Sequence, residues 1–190
     1  MSIEGGKIIT FLGQSGSGKT TQVGRLLREQ NFEILRSVTT RGPRPSDLEG
    51  EYRHTTLAEH QALARANKFL WNIKFGNNFY AKEVEQVELA LDDPFSCYAN
   101  ALVPQCAGTL AAKYGSRYIR TFLLPNPGDE ILTERMLARG DTAETAALRL
   151  RQETEENWTA QAKTIPGVHI IASDGIEARH EEIMAVLSTS

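Results

Sequence analysis

Short runs of consecutive apolar residues alternate along this chain with stretches whose apolar positions recur at helical spacing. The first run, residues 7–12 (KIITFL), is rich in β-formers; after it Val23, Leu26 and Leu27 recur beside polar Gln22, Arg25 and Arg28. The same alternation predicts strands at 32–35, 95–100, 117–124 and 168–172. It predicts helices at 57–68, 83–91, 103–114, 130–139, 143–161 and 176–187. Apolar strands joined through helices imply an α/β fold, a parallel core sheet with helices on both faces. Residues 69–75 and 78–82, linked by Gly76-Asn77, read as a small separate sheet region. Residues 36–45, with two prolines and a glycine, read as a loop. Leu57, Leu63 and Ala64 give the helix at 57–68 its apolar side, and the strand around Cys97 reads as buried. Gly140-Asp141-Thr142 breaks one helix from a long charged one, and Ser173 and Asp174 stand where they can cap the last helix.

At 190 residues the chain suits one α/β domain and is short for two. Lys and Arg number 21 against 24 Asp and Glu, a net charge of −3 with the signs mixed. That pattern offers no basic face for nucleic acid and no polybasic stretch for a membrane. No apolar run approaches the roughly 20 residues that a membrane-spanning helix needs. Residues 1–6 lack the regions of a signal peptide, and two cysteines, Cys97 and Cys106, suit a reducing compartment. The expected location is the cytoplasm. His54, His60, His169 and His180 lack metal-ligand spacing and read as structural or surface residues.

Between the first strand and helix lies Gly13-Gln14-Ser15-Gly16-Ser17-Gly18-Lys19-Thr20, a Gly-x-x-x-x-Gly-Lys-Thr phosphate-binding loop in the strand–loop–helix context it requires. Glycines let backbone N–H groups turn inward around phosphate oxygens, and the helix N-terminus adds partial positive charge. The expected ATP contacts are Gly13, Ser15, Gly16, Ser17, Gly18, Lys19, Thr20 and Thr21. Lys19 would reach the β- and γ-phosphates, and the Thr20 hydroxyl would hold Mg²⁺.

Two arginine clusters accompany the loop. Arg41 and Arg44, in Ser37-Val38-Thr39-Thr40-Arg41-Gly42-Pro43-Arg44, can grip an acceptor phosphate, although pairing with Asp47 or Glu49 explains them as well. Arg139 and Arg149 flank the Gly140 break and could swing over a transferring phosphoryl group; an Arg149–Glu153 pair at i,i+4 is the plainer alternative. A triphosphate site and an arginine-bearing second site together suggest phosphoryl transfer between two small molecules.

The chain resembles the guanylate kinase family in collinear order over nearly its whole length. Four blocks carry the resemblance: the phosphate loop; residues 37–44 with Gly50-Glu51-Tyr52; Phe75-Gly76-Asn77-Asn78-Phe79-Tyr80; and residues 135–140 through Arg149-Leu150. It implies a three-layer P-loop kinase fold in one domain, with a core at 1–36, 93–138 and 162–190, an acceptor-binding insertion at about 37–92 and a helical lid at about 139–161. It also implies an ATP-dependent kinase using Mg²⁺, monomeric or homodimeric. Lys19, Arg44, Arg139 and Arg149 would be catalytic, and Ser37, Arg41, Arg44, Tyr52 and Tyr80 would hold the acceptor.

The departures bear on the acceptor. Where the family reads guanine with a glutamate, a second hydroxyl and an aspartate, this chain places Trp71, a position near Lys82, and Asn100; Tyr98 replaces the acid beside Mg²⁺. An indole has one donor and no acceptor, whereas Asn offers both. Trp71 and Asn100 are therefore expected acceptor contacts of a different kind. Tyr98-Ala99-Asn100 with Val103-Pro104-Gln105 also resembles ribose 1,5-bisphosphate phosphokinases. The acceptor stays open between a nucleoside monophosphate and a sugar bisphosphate, and a non-catalytic binding module of the same family is the rival of another class.

Overall fold

The first apolar run becomes the centre of a parallel sheet. In the computed structural model, which describes residues 7–189, the elements run β1 (Ile8–Leu12), α1 (Lys19–Glu29), β2 (Glu33–Ile34), β3 (Ser37–Thr39), β4 (Tyr52–His54), α2 (Leu57–Arg65), β5 (Phe69–Phe75), β6 (Asn78–Glu83), α3 (Val84–Asp92), β7 (Tyr98–Ala101), α4 (Pro104–Tyr114), β8 (Ile119–Leu123), α5 (Asp129–Ala138), α6 (Ala143–Glu155), α7 (Trp158–Lys163), β9 (Val168–Ile170) and α8 (Ile176–Ser188). The reading of residues 1–6 lies outside the described residues.

The larger sheet has the order β2-β7-β1-β8-β9 with every pairing parallel. All five β1 residues are buried because helices cover both faces. On one face Ile8 and Leu12 pack with Leu110 and Ile165. On the other Ile9 and Phe11 pack with Val23 and Leu26 of α1 and Ile183 and Leu187 of α8. Each such fully buried aliphatic side chain contributes about 2 kcal/mol of transfer free energy. No helix among the described residues is long and apolar enough to cross a membrane.

The second sheet, β4-β3-β6-β5, is mixed: β3 and β4 are parallel, while β6 runs antiparallel to both β3 and β5. Here the structure corrects the sequence. The segment read as a loop contains β3, a three-residue strand whose Val38 pairs with Ala81. Too short to show a period, it is defined by its partners. On α2 the expected apolar side is only partly turned inward: Leu57 is 50% exposed, Leu63 and Ala64 are half-buried, and the buried residue is His60, its Nε2 2.9 Å from Asn72 Oδ1.

Three other expectations shift. The strand predicted at 95–100 begins only at Tyr98: Asp93 Oδ1 accepts from the Phe95 and Ser96 amides, and that local turn leaves Phe95 96% exposed and Cys97 half-buried. The single helix predicted at 143–161 is two, because Asn157 takes the left-handed conformation (φ 50°) and its side chain caps α7. Neither Ser173 nor Asp174 caps α8. Gly175 (φ 79°) occupies the cap, and the Asp174 carboxylate accepts from the Gly175 amide and from Arg179.

Candidate active site

The C-terminal ends of the parallel strands, the small sheet and the α5–α6 hairpin enclose one cavity of about 790 Å³. Its walls carry Ser15 through Thr21 of the glycine loop, Ser37, Arg41, Arg44, Tyr52, Trp71 and Tyr80 from the small-sheet side, and Arg139 and Arg149 from the hairpin. The fold thus gathers almost every predicted site residue. Gly13 and Asn100 do not line the cavity.

The loop turns through glycines where a side chain has no room. At Gly16 (φ 86°) a Cβ would stand 2.9 Å from the Leu132 carbonyl oxygen of α5, so the loop is seated against that helix. Arg135 Nη1 donates to the Gly16 carbonyl at 3.1 Å, and Arg179 Nη1 donates to the Ser17 carbonyl at 2.9 Å. Lys19 Nζ donates to the carbonyls of Gly13 and Gln14 at 2.7 and 2.9 Å. Burial lowers its ammonium from 10.5 to about 8; the charge of Glu153 opposes that shift and those of Arg139 and Arg149 add to it.

Glu153, on α6, does not pair with Arg149. It is 1% exposed and accepts from the Ser15 amide at 2.9 Å and the Ser15 hydroxyl at 2.6 Å. Arg149 turns instead to Asp141, which collects three guanidinium groups: Arg139 Nε at 2.8 Å, Arg149 Nη1 at 3.7 Å and Arg44 Nη1 at 3.9 Å. Burial alone would raise the Asp141 carboxyl, but the Arg139 hydrogen bond and the charges of Arg149, Arg139 and Arg44 outweigh it and hold it below the usual carboxylate range. Spacing alone could not reveal either acid: Glu153 is a plausible i,i+4 partner of Arg149, and Asp141 reads as part of a break.

On the small-sheet side, Arg41 lies over the Tyr52 ring, its guanidinium carbon 4.9 Å from the centroid, and Nη2 meets Asp47 Oδ1 at 2.7 Å. Tyr52 and Tyr80 meet edge to face at 6.2 Å. Burial, with Glu51 beside it, raises the Tyr52 hydroxyl above its ordinary range, so it stays a neutral donor. Trp71 both lines the cavity and packs on the core cluster around Ile8, together with Ile73. Lys82, its cross-strand neighbour, is fully buried and donates to the carbonyls of Leu35 (2.5 Å) and Arg36 (3.0 Å). Burial lowers it from 10.5 to about 7.

Asn100 is 4% exposed on β7, and neither its amide nitrogen nor its oxygen finds a hydrogen-bond partner among the described residues. Tyr98 lies outside the cavity with its hydroxyl 3.0 Å from Asp93 Oδ2. Among the described residues no group of three or more His, Cys, Asp or Glu could hold a metal ion.

Compared with solved structures, the chain superposes on guanylate kinase from Anaplasma phagocytophilum with a TM-score of 0.68 at 21% identity, covering 99% of this chain and 87% of that one. That likeness establishes the fold. No family model matches the chain. Guanylate kinase 1 of Oryza sativa subsp. japonica is 31% identical over 97% of this chain, which spans 48% of that protein. The guanylate kinase of Lactococcus lactis subsp. lactis is 33% identical over 80% of this chain and 75% of its own. That of Mycoplasmoides gallisepticum is 30% identical over 98% and 94%. Relatives 30% identical or more, matched over most of both chains, place this one plainly: it belongs to the guanylate kinase family.

Proposed function

We infer that this chain transfers the γ-phosphate of ATP to the phosphate of a nucleoside monophosphate. The observation that carries the reading is the sharing of one cavity by the glycine loop, the Arg41–Arg44–Tyr52–Tyr80 group, and Arg139 and Arg149. Residues 1–36, 93–138 and 162–190 act as the core, about 37–92 as the acceptor-binding insertion and about 139–161 as the lid. Ser15 through Thr21 bind the donor phosphates, and Lys19 stabilises charge on the transferring group. Arg41, Arg44, Tyr52, Tyr80 and Ser37 orient the acceptor. Arg139 and Arg149 neutralise the equatorial oxygens and exclude water.

Mg²⁺ fits as an ion carried largely by the phosphates. The exposed Thr20 hydroxyl at the start of α1 would hold it, with no acid from β7, since Tyr98 is turned to Asp93. When bound it would screen the charge of the donor phosphates. Transferring the phosphoryl group in line then rests on the chain's own cations.

The acceptor's remaining part meets Trp71, Ile73 and Val103. The nearby carboxylates are engaged: Asp47 by Arg41 and the Arg44 amide, Glu51 by the Leu48 amide. A flat base stacked on the indole suits this chamber, while the two lining carboxylates, Asp47 and Glu51, already accept from Arg41 and from the Arg44 and Leu48 amides, which leaves less capacity for the guanine N1–H and N2–H₂ donors. That prior engagement favours ribose 1,5-bisphosphate as a second reading. A coupled ADP-release screen over all nucleoside and deoxynucleoside monophosphates and ribose 1,5-bisphosphate decides between them. A nucleoside monophosphate is expected to react best; turnover of ribose 1,5-bisphosphate alone overturns that choice. Absence of thermal stabilisation by millimolar Mg-ATP, with no turnover, would instead favour a non-catalytic module.

A further inference from the structure

Carboxylates are almost never fully buried without partners. Glu153 has its partners, but they are the wrong ones for a helix residue with arginines close by. It reaches across from α6 to the third residue of the phosphate loop and takes both donors of Ser15, amide and hydroxyl. Its charge also acts on Lys19. Inward-facing amides of a glycine loop and the loop lysine are the groups that bind a phosphate anion. One carboxylate therefore already engages part of the donor's anion site, and it is anchored on the hairpin that also bears Arg139 and Arg149.

From this juxtaposition we propose that Glu153 is a latch that occupies the phosphate loop in place of the donor's phosphates, so that ATP must displace it and α6 with it. The proposal rests on the kinase reading above and concerns the regulation of that same site. Two anions cannot share the Ser15 amide at hydrogen-bond distance without strong repulsion in a buried site. Donor binding consequently breaks the contact between α6 and the loop and frees the hairpin to rearrange over both substrates. Until then the carboxylate competes with the donor for the same cations and amides. Asp141 plays the parallel part for the arginines, keeping Arg44, Arg139 and Arg149 gathered around one negative charge.

The test compares the intact protein with Glu153→Gln, which keeps the size and hydrogen-bonding reach of the side chain and removes its charge. Calorimetry is run with ATP and, separately, with inorganic tripolyphosphate, which probes the anion site without base or sugar. Both ligands are expected to bind the variant on the order of tenfold more tightly. Unchanged or weaker binding overturns the latch. A second measurement needs no change at Glu153. Spin labels on Leu148→Cys of α6 and Tyr118→Cys, both exposed, in a Cys97→Ser background should move apart when tripolyphosphate is added. A distance that stays or shortens overturns the proposal. If neither protein binds ATP or tripolyphosphate, the kinase reading falls and the latch with it; equal binding by both overturns the latch alone.

Discussion

The two halves of the cavity are built by different means. The proposed donor half is one contiguous loop whose recognition would come from backbone amides, a helix terminus and a single lysine. The acceptor half is assembled from side chains on β3, the loop after it, β4, β5 and β6, segments brought together only by the small sheet. A site made of main chain tolerates changes in its neighbours and keeps its ligand. A site made of side chains can change its ligand by a single replacement, and on the proposed reading Trp71, which lines the cavity, is the position where such a change would act while the phosphate grip persists. On the proposed reading, the reaction class would reside in one half and the identity of the acceptor in the other.

The sharpest way to break this comparison is at Lys19. Lys19→Ala should cost turnover by roughly 10²–10³-fold or more with the fold intact, since it removes charge stabilisation from the transferring group. Near-normal turnover with an unchanged melting temperature would mean that the donor half does not work through this cation. Next in size is the division of labour among arginines. Arg44→Ala should raise the acceptor KM by about tenfold or more, and Arg149→Ala should lower kcat by a similar or larger factor. If both merely weaken ATP binding to the same extent, the boundary between the halves is drawn wrongly.

A smaller effect follows from pH. Lys19 titrates near 8 in the protein, so its positive charge is complete below that value and is lost as pH rises through it. The Kd for ATP should weaken several-fold or so between about pH 7 and 9.5, while acceptor binding through Arg41 and Arg44 stays flat because guanidinium keeps its charge. Equal pH dependence of the two ligands would erase the distinction. The last effect, on stability rather than on turnover or binding, concerns Lys82. Its value falls from 10.5 to about 7 on folding, so between those limits the unfolded chain binds more protons and stability rises with pH, by up to about 1.4 kcal/mol per unit. Lys82→Met should flatten that rise, read as the change in melting temperature between pH 7 and 9.

The same contrast explains what could be read from the sequence. The glycine loop, β1 and α1 are legible because a motif and two periodic segments lie side by side. Arg139 and Arg149 are legible as cations, yet the acids that hold the hairpin are not: Asp141 passes for part of a turn, and Glu153 has an equally good local partner at i,i+4. The strand β3 escapes because three residues beside a proline-rich segment show no alternation, and only pairing with β6 and β4 makes them a strand. The break at Asn157 escapes because a polar, charged helix carries no apolar stripe whose interruption would mark it. Backbone-encoded features are local and readable; features made by distant partners are not.

The ammonium of Lys82 also bears on how the chain assembles. Its bond to Leu35 closes a loop of 47 residues, and every pairing of the small sheet except Phe69 with Glu83 falls inside that loop. Parallel pairing of β2 with β7 must span a longer stretch, which in an unstructured chain carries a larger closure entropy. Once the small sheet has formed and Lys82 has bridged its ends, that span is shortened to the short step from Glu33 to Leu35 and the segment from Lys82 through α3 to Tyr98. The acceptor-side sheet can then act as a folding spacer, bringing two distant parts of the core within reach before they pair.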